Sequence, residues 1–96
     1  MKILAIEKEV PGIKEEQYIP HLKAEALKVW ELYQSEKIRE IYFSQENFAV
    51  IILECCDEKE ASEILRSLPL VKEGLIEFDI IRLMPYNGFR RLFGES

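Results

Sequence analysis

Residues 38–55 read IREIYFSQENFAVIILEC, and the fold turns on how this stretch pairs with itself. From Ile38 to Gln45 the sequence turns to β-branched and aromatic residues with alternation. Ile38, Glu40, Tyr42 and Ser44 share one face, and Arg39, Ile41 and Phe43 the other. Glu46-Asn47 reads as a two-residue hinge, since asparagine tolerates the left-handed backbone of tight hairpins. Phe48 to Leu53 is continuous apolar sequence, the pattern of a strand covered on both faces. The spacing predicts a hairpin whose second strand lies inside a sheet.

On the N-terminal side, Lys2 to Lys8 is a short apolar burst ending in charge, and Pro11-Gly12 signals a turn. Helical spacing begins at Ile19: Ile19, Leu22, Ala26, Val29, Trp30 and Tyr33 form a stripe, with Glu25, Lys28 and Lys37 off it. Pro20 suits a first helical turn, where its missing N–H loses no bond. On the C-terminal side Asp57 reads as a helix cap, with Glu60 at capping-box spacing, followed by Ala61, Ile64, Leu65 and Leu68. Pro69 is expected to stop that helix. Ile76 to Met84 alternates as a fourth strand, and Pro85-Tyr86-Asn87-Gly88 turns into the tail Phe89-Arg90-Arg91-Leu92-Phe93. No linker or repeat divides the chain. The expectation is one domain over 1–96, its tail 85–96 packing on the sheet or on a partner. The order strand–helix–strand–strand–helix–strand predicts an α+β, ferredoxin-like βαββαβ fold with a four-stranded antiparallel sheet and two helices on one face.

Ninety-six residues allow one core. Eighteen acidic against thirteen basic residues leave a net charge of −5, which argues against phosphate backbones and anionic membranes. The third strand lacks the basic–glycine–aromatic start of an RNA-recognition motif, and the first has no aromatic to stack a base. No nucleic-acid partner is expected. Cys55 and Cys56 are adjacent, so in a strand they point to opposite faces, and two thiols fall short of a structural zinc site. Neither metal nor cofactor is expected. Unpaired thiols fit a reducing compartment, the absence of any ~20-residue apolar run argues against a membrane span, and the expected location is cytoplasmic.

Two helices cover only one face of such a sheet. Leu4, Ile6, Ile41, Phe43, Ile51, Leu53, Phe78 and Ile80 are expected beneath them. The opposite set is Ile3, Ala5 and Glu7; Tyr42 and Ser44; Val50, Ile52 and Glu54; Asp79 and Ile81. Its aliphatic centre invites cover. That cover is either a second copy, giving a homodimer or a higher assembly, or the tail folded back through Phe89, Leu92 and Phe93.

Leu22-Lys23-Ala24-Glu25, Arg39, Leu68-Pro69-Leu70, the Ile76–Ile80 strand and the proline turn after it carry a resemblance. Together they resemble the muconolactone Δ-isomerase-like members of the dimeric α/β-barrel superfamily. The resemblance implies sheet-to-sheet dimers with a small-molecule pocket in each subunit and a C-terminal segment that reaches the neighbour. Related barrels include cofactor-free monooxygenases of quinone-like substrates. An isomerase of this type would need a base, a proton donor and a cation for the substrate carboxylate. Arg39 is the residue the resemblance carries over as that cation, and Lys23 matches as well. The parity of Arg39 puts it on the helix side, so it enters a pocket only through an irregularity or at a rim. Otherwise it is a surface arginine beside Glu36 or Glu40.

Lys23 otherwise reads as an edge lysine. His21, the single histidine, falls about 200° from Ile19 on the wheel, exposed unless Pro20 distorts the first turn. Tyr42 is a candidate donor to an oxyanion. Glu7, Glu54 and Asp79 are candidate substrate-binding carboxylates, one of them a base if burial raises its pKa, or else members of ion pairs. Glu25, off the stripe, reads as a weak base candidate. Trp30 and Tyr33 read as packing, and Arg90-Arg91 as an anion anchor or a clamp on a partner. Two functions stay open: a cofactor-independent isomerase or oxygenase of a small lactone or phenolic ring, and a non-catalytic ligand-binding or regulatory dimer.

Overall fold

The structure is a computed structural model and describes residues 1–94; the last two residues of the expected tail lie outside the described residues. Four strands, β1 (Lys2–Glu9), β2 (Ile38–Phe43), β3 (Ala49–Glu54) and β4 (Ile76–Leu83), form one antiparallel sheet in the order β2-β3-β1-β4. The helices α1 (Glu15–Tyr18), α2 (Leu22–Gln34), α3 (Glu58–Arg66) and α4 (Pro69–Lys72) fall in the two crossovers. The fold is ferredoxin-like α+β, as the pattern of residues predicts.

The register corrects the faces of β1. Ile3 pairs with Leu53 and Ala5 with Ile51 and Ile80, so Ile3 and Ala5 lie beneath the helices, both with no exposed surface. Leu4 and Ile6 turn to the open face, the reverse of the expectation. The cause is local: Ile3-Leu4-Ala5-Ile6 has no polar member, so alternation alone cannot choose a side. Glu7 travels with Ile3 and Ala5 to the helix side. Ile3→Ala is therefore expected to destabilise the fold by about 2–4 kcal/mol, lowering Tm by about 10–25 °C. A fall under about 3 °C in thermal denaturation would place Ile3 outside the core.

Strand β2 carries a bulge. Ile38 pairs with Leu53 and Glu40 with Ile52, which leaves Arg39 as the extra residue. Ile38 and Ile41, three apart, both face inward, and Ile38 is only 2% exposed. Strict alternation would have sent Ile38 outward with Glu40 and Tyr42. The hairpin turn is longer than two residues: Asn47 N–H donates to the Ser44 carbonyl at 2.9 Å, and Asn47 adopts the left-handed conformation at φ 65°.

The first crossover departs from one continuous helix. α1 is followed by a 3₁₀ turn over Ile19–His21 around Pro20, and α2 starts only at Leu22. Leu32 alone among its side chains is buried, with Val29 packed beside it on the core. The second crossover is held by Ala61, Leu65 and Leu68 against the sheet. Asp57 Oδ1 accepts from Glu60 N–H at 2.8 Å, the expected cap. Its box is not closed, because the Glu60 carboxylate instead accepts from Lys37 Nζ at 3.0 Å and Cys56 Sγ at 2.9 Å. Asp57→Ala is expected to cost about 1 kcal/mol, seen as a Tm about 4–8 °C lower; an unchanged Tm would mean that solvent replaces the cap. Pro69 does not merely end a helix but opens α4.

The tail stands clear of the body. Its 3₁₀ turn (Gly88–Phe93) presents Phe89, Leu92 and Phe93 to solvent, Phe93 at 81% exposure. The radius of gyration is 16.0 Å, against roughly 12–13 Å for a compact chain of this length. The tail therefore does not cover the sheet in this chain. The Tyr86 ring lies over Gly88, where a Cβ would displace it. Cys55 is buried and Cys56 exposed, and the two are not joined. Among the described residues no helix is long and apolar enough to cross a membrane, and no cluster of three His, Cys, Asp or Glu side chains could hold a metal ion.

Candidate functional site

α2 touches the core through its C-terminal half and lifts away toward its start. The side chains meeting at that level, Ala26 and Glu25 from the helix and Glu7 and Ala49 from the sheet, are small or charged and do not fill the gap. A cleft of about 1230 Å³ results, lined on the helix by Leu22, Val29, Trp30 and Tyr33 and floored by Ile41, Phe43, Ile51 and Phe78. Tyr18, Ile19 and Leu70 wall one end. The volume exceeds the ~300–1,000 Å³ of ordinary small-molecule pockets, so a ring compound fits.

Two of the carboxylates that line the cleft are each held by one oxygen on a backbone amide. Glu7 Oε1 accepts from Ala49 N–H at 2.9 Å, and Glu25 Oε1 accepts from Leu70 N–H at 2.9 Å. Burial pushes the Glu25 carboxyl above its ordinary range. The Leu70 amide opposes that shift and the negative charge of Glu7 adds to it. A carboxylate of this kind takes and returns protons nearer neutrality than a solvated one. Trp30 and Tyr33 stack with ring centroids 6.2 Å apart and planes 18° apart, and remain 54% and 50% exposed on the cleft side. They form a platform rather than core, contrary to the expectation.

Arg39, the extra residue of the β2 bulge, lines the cleft, which opens on the helix side that its parity gave and not on the face expected to hold the pocket, and its Nε–H donates to the Glu36 carbonyl at 3.1 Å. Tyr42 lies at the β2 edge of the cleft, where its hydroxyl donates to Glu40 Oε1 at 2.9 Å. That bond, then the Glu40 charge, raises the phenol above its ordinary pKa and keeps it a donor.

The remaining candidates lie elsewhere. His21 is half-buried at the start of α2 and Lys23 is exposed, and neither lines the cleft. Glu54 and Asp79 sit on the open face of the sheet, away from Glu7, so the three do not share a face. Asp79 is 3.1 Å from Lys8 Nζ. Glu54 accepts from the N-terminal ammonium at 2.7 Å, and that bond lowers rather than raises its pKa. Glu25, a weak base candidate from its place off the stripe, does enter the cleft. Its signal was its place three residues after Leu22 and four before Val29, both cleft residues.

A ferredoxin-like sheet with a cleft under its first long helix defines the class of structure. No family model matches the chain, and no curated protein matches it by sequence. Among solved structures it is similar to 5-chloro-2-hydroxyhydroquinone dehydrochlorinase (TftG) from Burkholderia phenoliruptrix AC1100, in its complex with 2,5-dihydroxybenzoquinone. The TM-score is 0.72 at 18% identity, over 92% of this chain and 98% of that one. At that identity the two share the fold.

Proposed function

We propose that this chain is a small homodimeric enzyme that moves protons on a small ring compound without a cofactor, in the cleft beneath α2. The observation that carries the reading is Glu25: a half-buried carboxylate with a raised pKa, one oxygen anchored on Leu70, in a cleft with an exposed aromatic platform. In this reading Glu25 is the general base and acid, and Trp30 and Tyr33 carry the ring. Tyr42 or Arg39 stabilises charge that develops on an oxygen. An isomerisation of a lactone or a phenolic ring needs no more than these groups. The quinone in the TftG complex supports a ring-sized ligand for this fold.

The sheet supports self-association. Its open face carries Leu4, Ile6, Val50, Ile52 and Ile81, with Leu83 at one end, and the tail leaves them uncovered. A second copy pairs there, and the exposed Phe89, Leu92 and Phe93 of the tail lie against it. Two unpaired thiols fit a cytoplasmic location.

The test is hydrogen exchange. A panel of phenols, hydroxyquinones and unsaturated lactones is incubated with the protein in D₂O, and deuterium entry at ring carbons is followed by NMR. Accelerated exchange on one member is the expected result. Binding without exchange across the panel would replace the enzyme with a ligand-binding dimer.

A further inference from the structure

We infer that the ring taken by this cleft carries a positive charge, as an aryl or heteroaryl compound bearing a protonated amine. The inference rests on the cleft being the ligand site, and it names the substrate class. Six carboxylates line the cleft, Glu7, Glu9, Glu15, Glu25, Glu40 and Glu46, against one cation, Arg39. Removing those from the chain's eighteen acidic and thirteen basic residues leaves twelve of each. The entire excess negative charge of the protein therefore lies on the lining of one cavity, and everything outside it balances.

A cavity with low-dielectric walls focuses such a field, so like-charged ligands are repelled and cations concentrated. The site itself is defined by the cavity and its exposed ring pair. The carboxylates decide the sign of what enters. Trp30, stacked on Tyr33, offers the aromatic face that attracts an organic cation most strongly. Glu7 and Glu25 each spend an oxygen on a backbone amide and supply counter-charge through the other. Arg39 stands alone among them, with its Nε–H already committed to the Glu36 carbonyl. A carboxylate-bearing lactone, the ligand for which Arg39 would be the clamp, meets this field with the wrong sign.

Three probes with one phenol ring separate the cases: tyramine (cation), 4-ethylphenol (neutral) and 4-hydroxyphenylacetate (anion). Their binding is followed at neutral pH on the indole N–H resonance of Trp30, the single tryptophan. Tyramine is expected to bind about tenfold tighter than 4-ethylphenol, and the anion at least about tenfold weaker, with the spread shrinking in high salt. Glu7→Gln should reduce the preference for tyramine over 4-ethylphenol several-fold. If 4-ethylphenol binds and tyramine is no tighter, or the anion is tighter, the charge assignment is overturned and the cleft remains a ring site. If none of the three shifts the indole signal at millimolar concentration, the cleft reading falls and this inference with it.

Discussion

Glu25→Gln is expected to slow proton exchange on a bound ring by about 10²–10⁴-fold, the usual worth of a positioned acid–base group. The replacement isolates the chemistry because glutamine has nearly the same shape, and its carbonyl can still accept the Leu70 N–H now held at 2.9 Å. Ligand binding to Trp30 and Tyr33 should survive. The pH dependence gives a second readout. Glu25 is raised above its ordinary 4.5, chiefly by burial, so its basic form is lost on acidification earlier than for a solvated carboxylate. The acid limb of the exchange profile should sit above 4.5 and vanish in the variant.

Stability moves the opposite way. A carboxylate whose folded-state pKa is raised costs stability while ionised, so the cost is present above the folded value. It disappears as pH falls through that value to below 4.5. The variant should therefore melt about 2–4 °C higher at neutral pH and level with the wild type in acid. Exchange that persists undiminished in the variant, at full ligand occupancy, would remove Glu25 from the chemistry.

Glu25 is hard to find from the residues because the stripe is judged by its centre. On the 100° wheel Glu25 lies about 60° from Leu22 and about 40° from Val29, all within α2, but about 90° from the centre of the stripe, which Ile19 and Trp30 pull away from it. The stripe itself is legible in the pattern, but its meaning is not. Spacing shows that Trp30 and Tyr33 face inward, and cannot show that both stay half exposed over a cleft.

The strands divide in the same way. β4 alternates, with Ile76, Phe78 and Ile80 set against Glu77 and Asp79, so its inward face is readable from the residues. β1 has no polar marker in Ile3–Ile6, and its side is decided by pairing on both edges, with β3 and with β4. Glu7 was misplaced for that reason. The bulge at Arg39 has no glycine or proline to announce it, and only the two inward isoleucines three apart betray it. Fold class depends on counting elements, which tolerates such slips. A site depends on parity and phase, which does not.

Ile52→Asp is expected to dissociate the dimer without unfolding the subunit. Ile52 lies near the middle of β3 on the open face, opposite Leu4 on one neighbouring strand and Glu40 on the other, while Ile51 and Leu53 on either side of it fill the core. A change at position 52 therefore leaves the helix-side packing alone. The open face is framed by charge, with Lys8 beside Asp79 and Glu77 at one end and Lys2 near Glu54 at the other. Its aliphatic centre is where two copies would meet.

Four strands spaced ~4.8 Å apart, each ~20–25 Å long, give a flat face of roughly 500 Å², short of the ~800 Å² per partner of a standard interface. The exposed tail side chains Phe89, Leu92 and Phe93 supply the rest by lying on the twin. In a two-fold pair the variant sets two carboxylates in the same dry layer with no cation between them, a cost of at least about 4 kcal/mol, or about 10³-fold in the dissociation constant. Sedimentation velocity at micromolar concentration should show a wild-type dimer and a monomeric variant, with matching far-UV circular dichroism. A wild type that sediments as a monomer would leave the aliphatic face without a twin, and a variant that stays dimeric would move the interface off this sheet.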